Sequence, residues 1–221
     1  MSPVEVVLRF AVAAVAGYLL GSVPSGVIVG RLFGRVDPRT LGSGKTGATN
    51  VMRSAGVGPA LLVVALDVGK GVAEVLLARF LFFPEPLGAR GGPHNLQATA
   101  EAIAAAGALL GHNFSIFIGF SGGRGVATGG GAILAMSPAA VLIAVIALIV
   151  PIALTRYVSL GSIVAAAAAG LAALALALTG HDYLPHAIFA LAGGLFVILA
   201  HRDNIERLLH GTERKLGQPA R

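Results

Sequence analysis

Three separated stretches carry most of the residues able to do chemistry. "LGSGKTGATNVMR" places Ser43, Thr49, Asn50 and Arg53 among Gly42, Gly44 and Gly47. "SGGRGVAT" sets Arg124 among Gly122, Gly123 and Gly125, between the hydroxyls of Ser121 and Thr128. "HRDNIERLLHGTERK" brings His201, Asn204 and Glu213. Glycines let backbone N–H groups crowd around an anion, and hydroxyls and guanidinium groups add donors. His201 and Asn204 are three apart, so a helix puts imidazole and amide on one face, where they could take a phosphate or a hydroxyl. The chemistry is that of a phosphorylated small molecule.

The first stretch contains Gly44-Lys45-Thr46, the ending of a nucleotide-binding P-loop, but that pattern needs glycine at position 39, where Arg39 stands. Its charged lead-in, with Pro38, is not the apolar strand such a loop follows. Bland readings exist for each stretch: a flexible basic loop on an anionic membrane face, a tight helix–helix turn with one snorkelling arginine, and a solvated amphipathic tail with Ile205, Leu208 and Leu209 on the lipid surface. His201 and Glu206 have the spacing of the H-x-x-x-x-D acyltransferase pattern with the wrong acid. Asp67 and Lys70, three apart in an apolar run, are expected to form a structural pair, since an unpaired charge near mid-bilayer costs about 3 kcal/mol. His112 could be an interfacial packing residue or a site residue, and the former is preferred, while Glu74 and Glu101 lie in apolar runs without an evident partner. No set of carboxylates and histidines has metal-ligand spacing, so no metal or cofactor is expected.

These residues sit in a chain of 221 residues, 56% hydrophobic and 12% charged, with mean hydropathy +0.84. Soluble domains carry roughly 25% charge, so this is a membrane protein. It has no cysteine, hence no disulfide or thiol nucleophile, and no tryptophan, so interfacial anchoring falls to tyrosines and phenylalanines. The charge of +6 reads as cytoplasmic loops rather than nucleic-acid binding. The first apolar run lacks a small-residue cleavage site and reads as a retained span.

Apolar runs at 4–30, 57–83, 96–118, 138–155, 158–179 and 184–200 each approach the ~20 residues of a spanning helix. Segments 31–56 and 201–221 are both rich in Arg and Lys, so both belong in the cytoplasm, which requires an odd number of crossings. The seventh is assigned to 125–137, a half-length helix that survives at membrane depth only where it lines a protein cavity. The expectation is an all-α membrane protein of seven helices, N-terminus outside and C-terminus inside. Segments 31–56, 119–128 and 201–215, with the Arg156–Ser159 turn, then face the cytoplasm, and loops 84–95 and 180–184 face outward. One domain spans 1–221, of which 201–221 is a cytoplasmic amphipathic tail. The alanine-rich stretch 163–178 serves helix packing.

"GSVPSG", "LGSGKTGATNVMRSAG", "LDVGKG", "GHNFSIFIGFSGGRGVAT", "RYVSLGSI" and "HRDNIERLLHGTERK" occur in order from about residue 17 to 215. Together they resemble the bacterial acyl-phosphate:glycerol-3-phosphate acyltransferase family. The resemblance implies a seven-helix enzyme of the bacterial cytoplasmic membrane, its active site facing the cytoplasm. It implies acyl transfer from acyl phosphate to the 1-hydroxyl of sn-glycerol 3-phosphate, giving lysophosphatidic acid and phosphate. It implies Ser43 and Arg53 as essential residues, with Thr49 and Asn50 in the same loop. Gly122, Gly123 and Gly125 become the glycerol phosphate loop and Arg124 its cation. His201 and Asn204 complete the site, Ser159 touches the acyl phosphate, and Glu213 is structural. The chain departs from the family at Ser121 and Arg124, where lysine is usual, and at Lys45, where asparagine is usual. It is expected to work as a monomer in the bilayer, with those two substrates as its partners. From the residues alone, an organophosphate permease is the rival reading.

Overall fold

The computed structural model describes residues 2–82 and 94–218; residues 84–93 of the expected loop 84–95 therefore fall outside the described residues. No strand forms among them, only ten α-helices and two short 3-10 segments. Helix α1 (Pro3–Gly21) begins at Ser2, whose hydroxyl and the Glu5 carboxylate cap each other's backbone N–H groups. The run expected as one span, 4–30, breaks at Ser22–Pro24 and restarts as α2 (Ser25–Gly34), because Pro24 has no N–H to continue the helix. A short amphipathic α3 (Ala48–Ala55) precedes α4 (Val57–Phe82). Helix α5 (His94–Asn113) stops five residues before the expected end, because "SIFIG" turns instead through a short 3-10 segment. The half-length α6 (Val126–Met136) is followed by α7 (Pro138–Thr155), α8 (Val158–Leu178), α9 (Leu184–Ala200) and α10 (Arg202–Leu209).

Small residues set the packing. Gly17 and Gly21 of α1 lie on the backbone of Ala104 and Ala108 in α5, and Gly107 and Gly111 of α5 return the contact at Ala14 and Tyr18. A Cβ at Gly71 of α4 would collide with Thr128 of α6, and one at Gly131 of α6 with Val68 of α4. Such pairs let backbones approach where lipid supplies no hydrophobic drive between helices. Helix α6 touches α4, α5, α7, α8 and α9, so the shortest apolar helix is the central one. Its Ile133 and Met136 join Leu109, Ala169, Ala173 and Phe189 in the main apolar cluster.

The outside is apolar and the inside holds the charges. Leu142, Ile146 and Leu154 of α7 and Val4, Leu8 and Val15 of α1 are exposed, while Asp67, Glu74, Glu101, His112 and His186 are buried. That inversion suits a lipid surround. Three stretches, Pro3–Gly34 taken across its break, Pro138–Thr155 and Val158–Leu178, are long and apolar enough to cross a membrane. Leu184–Ala200 with Arg202–Leu209, bent by 57°, makes a fourth. Helices α4 and α5 have the length, ~39 and ~30 Å at 1.5 Å per residue, but α4 carries Asp67, Lys70, Glu74 and Arg79.

Candidate active site

The loop before α3 is built by its own side chains. Asp37 accepts from Arg39 and Arg31 at 2.7 and 2.9 Å, and the Arg39 hydrogen bonds hold its carboxyl well below the usual carboxylate range. Asn50, expected to bind substrate, lines the cavity and also holds the loop together. Its amide donates to the carbonyls of Pro38, Leu41 and Lys45 at 2.6, 3.0 and 2.9 Å. Its carbonyl oxygen accepts from Ser43 N–H at 3.4 Å. With Gly42 and Gly44 at φ 61° and 67°, this curls the loop so that Ser43, Lys45 and Thr49 face a cavity. Arg53, in the last turn of α3, lines the same cavity; one guanidinium nitrogen reaches Arg214 O at 3.4 Å and its Nε has no partner among the described residues. Burial, then repulsion from Arg214, pulls its pKa down without removing its charge.

The glycine loop is arranged differently from expectation. Gly122 and Gly123 are buried behind it: Gly123 N–H donates to His112 O at 3.1 Å, and Gly122 O accepts from Thr46 N–H at 3.4 Å. Neither glycine lines the cavity. They are small because His112 and Asn113 lie against them, where a Cβ would collide. Ser121 is turned to Ile118 O, and Thr128 is buried against α4. Arg124 and Gly125 do line the cavity, Gly125 taking φ 82° to start α6. Arg124 donates through Nε to Ala200 O at 3.2 Å and through Nη2 to Asp203 at 2.7 Å.

The C-terminal segment folds back rather than trailing as a solvated tail. Glu213, its side chain 5% exposed, accepts from Ser159 Oγ at 3.0 Å, Asn204 Nδ2 at 2.8 Å and Arg207 Nε at 2.7 Å. One carboxylate thus holds α8, α10 and the tail together. Asn204 then presents Oδ1, a buried acceptor with no partner among the described residues. His201 Nδ1 lies 2.8 Å from Val197 O, so the ring must donate there and Nε2 is left as an acceptor. Burial also lowers the His201 pKa, favouring the neutral ring.

These pieces line one cavity of about 670 Å³. Its acids are paired, Asp203 with Arg124 and Arg207, Glu213 with Arg207, and Asp67 with Lys70 at 2.8 Å. Lys45, Arg53 and Arg214 have no carboxylate partner among the described residues, so the cavity is net cationic. An adjoining slot of about 110 Å³, almost wholly apolar, shares Gly125, Val126, Gly130, Val141, Val145 and Leu148 with it. Arg207, Asp203 and Arg214 escaped the sequence reading, although Asp203 and Arg207 stand at the i,i+4 spacing of a helical ion pair. His112 escaped too: it lines the cavity, with Nδ1 3.0 Å from Lys70 Nζ, and is not mere packing. Glu101, without a partner in sequence, has Arg79, Gln97 and His186 around it. Glu74 has none among the described residues.

Residues 11–211 match the family model described as glycerol-3-phosphate acyltransferase. A glycerol-3-phosphate acyltransferase of Synechococcus sp. (strain JA-3-3Ab) is 48% identical over 206 residues, 93% of either chain. Glycerol-3-phosphate acyltransferase 2 of Moorella thermoacetica is 44% identical over 93% of this chain and 97% of its own. Among solved structures, the crystal structure of PlsY (YgiH), an integral membrane glycerol 3-phosphate acyltransferase, is similar in its glycerol 3-phosphate form with TM-score 0.79. That match is 35% identical and covers 94% of this chain and 96% of the other. The lysophosphatidic acid form of PlsY matches with TM-score 0.77 at 34% identity, over 94% and 95% of the two chains.

Proposed function

The chain belongs to the glycerol-3-phosphate acyltransferase family, and from that premise we propose how its cavity works and which donor it uses. It is an integral membrane glycerol-3-phosphate acyltransferase of phospholipid synthesis. The acyl donor is acyl phosphate, and the product is the 1-acyl ester, lysophosphatidic acid, with inorganic phosphate released. The observation that carries this reading is the junction of a cationic cavity with an apolar slot, which together hold a phosphorylated head and a hydrocarbon tail.

Glycerol 3-phosphate binds with its phosphate between Arg53 and Arg124, beside the N–H groups that open α6. Ser43 and Thr49 add hydroxyl donors from the first loop. Asn204 Oδ1 and His201 Nε2, acceptors without a partner among the described residues, take the 1-hydroxyl and orient it, with Glu213 holding Asn204 and Ser159 in place. The hydroxyl oxygen attacks the acyl carbonyl carbon, the bond from that carbon to the phosphate oxygen breaks, and phosphate leaves with the bonding pair and accepts the hydroxyl proton. Positioning supplies most of the rate, since phosphate leaves as a stabilised anion. Purified protein in detergent, given palmitoyl phosphate and glycerol 3-phosphate, is expected to form lysophosphatidic acid and release phosphate without a sealed compartment. Turnover with acyl thioesters but not acyl phosphate would refute the donor.

The acyl chain runs into the apolar slot. A Cβ at Gly130, which lies in the wall of both spaces, would meet nothing within 4 Å, so Gly130→Leu fills the junction without disturbing the fold. We expect it to lower kcat/KM for palmitoyl phosphate by about tenfold or more while sparing butyryl phosphate, since apolar pockets discriminate by ~1–3 kcal/mol per methylene. Equal losses for both donors would place the chain elsewhere.

Seven crossings, formed by α1–α2, α4, α5, α6, α7, α8 and α9, put the N-terminus outside and the site at the cytoplasmic face of the bacterial inner membrane. The positive segments 31–56 and 201–215 support this orientation. The chain has no cysteine, so Ser43→Cys and His181→Cys report sidedness cleanly. An impermeant thiol reagent added to intact cells is expected to label only the second, and labelling of the first would reverse the orientation.

A further inference from the structure

Beneath the glycine loop lies a buried polar group that the mechanism above does not use. Lys70 Nζ, its side chain 9% exposed, meets three partners: Asp67 Oδ1 at 2.8 Å, Val23 O at 3.1 Å and His112 Nδ1 at 3.0 Å. An ammonium has donors and no lone pair, so His112 Nδ1 must be the acceptor of the contact between them. The proton of the neutral ring then sits on Nε2. The Asp67–Lys70 pair is therefore more than the structural pair its spacing suggests. It neutralises itself and fixes the tautomer of a third residue.

The Nε2–H donor has no partner among the described residues, although His112 is only 7% exposed. Nε2 lies against Gly123, the residue before Arg124; a Cβ there would overlap it. His112 O meanwhile accepts from Gly123 N–H, so the histidine clasps the loop by backbone and ring together. His112 and Asp67 both line the cationic cavity.

We propose that His112 is a further catalytic residue, its Nε2–H donating to a phosphate oxygen of bound substrate beside Arg124, with Asp67 and Lys70 as the positioning pair that holds the proton on that nitrogen. This rests on the reading of the cavity as the acyl-transfer site. Both substrates carry a phosphate, so the chemistry is shared and the kinetics separate the sources.

The experiment compares wild type, His112→Phe, His112→Gln and Arg53→Ala in detergent with palmitoyl phosphate and glycerol 3-phosphate. Phe keeps the bulk and removes both nitrogens; Gln reaches the Nε2 position with an amide donor. His112→Phe is expected to lower kcat/KM by about tenfold or more, the loss of a hydrogen bond to a charged group, and His112→Gln to recover to within about fivefold of wild type. A rise in the glycerol 3-phosphate KM assigns the donor to that phosphate, and a rise in the palmitoyl phosphate KM to the other. His112→Phe within about threefold of wild type in every parameter overturns the proposal, as does His112→Gln no better than His112→Phe in proteins of equal melting temperature. A folding failure of the variants is covered by wild-type protein carrying isotope-labelled histidine. The resonance of an Nε2-protonated histidine is expected to move on addition of glycerol 3-phosphate or inorganic phosphate, and spectra unchanged at saturation overturn the idea. An inactive wild type would instead sink the reading of the cavity, whereas an active wild type with inactive Arg53→Ala and active His112→Phe removes only His112.

Discussion

Arg124→Ala is expected to lower kcat/KM for glycerol 3-phosphate by about 10²-fold or more, chiefly through KM, as the loss of a charged phosphate contact in a partly dry site predicts. The guanidinium has separate jobs on separate nitrogens. Nε holds Ala200 O and Nη2 holds Asp203, so the loop before α6 is clamped to the corner where α9 becomes α10. Nη1 has no protein partner among the described residues and is the nitrogen available to a phosphate. Arg124→Lys keeps the charge but cannot serve clamp and phosphate at once, so an intermediate loss is expected. The clamp itself contributes little to stability, because Asp203 is 42% exposed and such pairs are worth at most ~1 kcal/mol. The variant should therefore melt close to wild type while losing activity. An unchanged glycerol 3-phosphate KM in Arg124→Ala would remove Arg124 from the site.

The pair of residues at that clamp illustrates what could be read in advance. Periodicity and apolar length placed helices at every expected stretch, because a membrane solvent leaves the chain few alternatives. The short α6 after a glycine-rich loop was legible for the same reason, since 125–137 is too short to cross and too apolar to lie in water. Arg53, Arg124, His201 and Asn204 were legible as types: cations and amides that an apolar chain has no other use for. The burial of Gly122 and Gly123 was not, because glycine serves an anion or a close backbone contact equally well, and only the position of His112 decides between them. Nor could Asn50 be read as a latch, since its three carbonyl partners come from a loop with no regular period. The break at Pro24 was written in the sequence as "SVPSG" but was hidden inside a run whose hydropathy continues across it. Asp203 could not be read as a site residue because an acid in a basic tail looks solvated until Arg124, 79 residues earlier, arrives beside it.

Glu101→Leu is expected to destabilise the protein by about 3–5 kcal/mol, the range for removing one partner of a buried charge pair. Glu101 sits at the far end of α4 and α5 from the cavity, and its side chain is 3% exposed. Arg79 meets it with both ends of its fork, Nε to Oε1 at 2.8 Å and Nη2 to Oε2 at 3.1 Å. Gln97 adds a donor at 3.1 Å, and His186 Nε2 lies 3.1 Å from Oε2 with Asp182 2.9 Å from its other nitrogen. Arg79 also reaches Ala135 O at 3.0 Å, so one carboxylate joins α4, α5, α6 and α9. Leucine in its place leaves Arg79 without a counter-charge in an apolar surround and His186 with one acid instead of two. Adding Arg79→Met should restore much of the loss, because a well-packed apolar pair often replaces a buried ion pair at no cost. A structural lock and a site residue part company in the kinetics. Arg79 stands about 17 Å along α4 from Val68, the nearest residue of that helix lining the cavity, at 1.5 Å per residue, so kcat/KM measured well below the melting temperature should stay within about threefold of wild type. Thermal unfolding in detergent reads the other half, with a midpoint lowered by on the order of 10 °C in Glu101→Leu and mostly regained in the double variant. A single variant that melts with wild type would mean that lipid and packing, not this cluster, hold the outer ends of the helices together. A folded variant that loses turnover would instead make the cluster part of the catalytic apparatus.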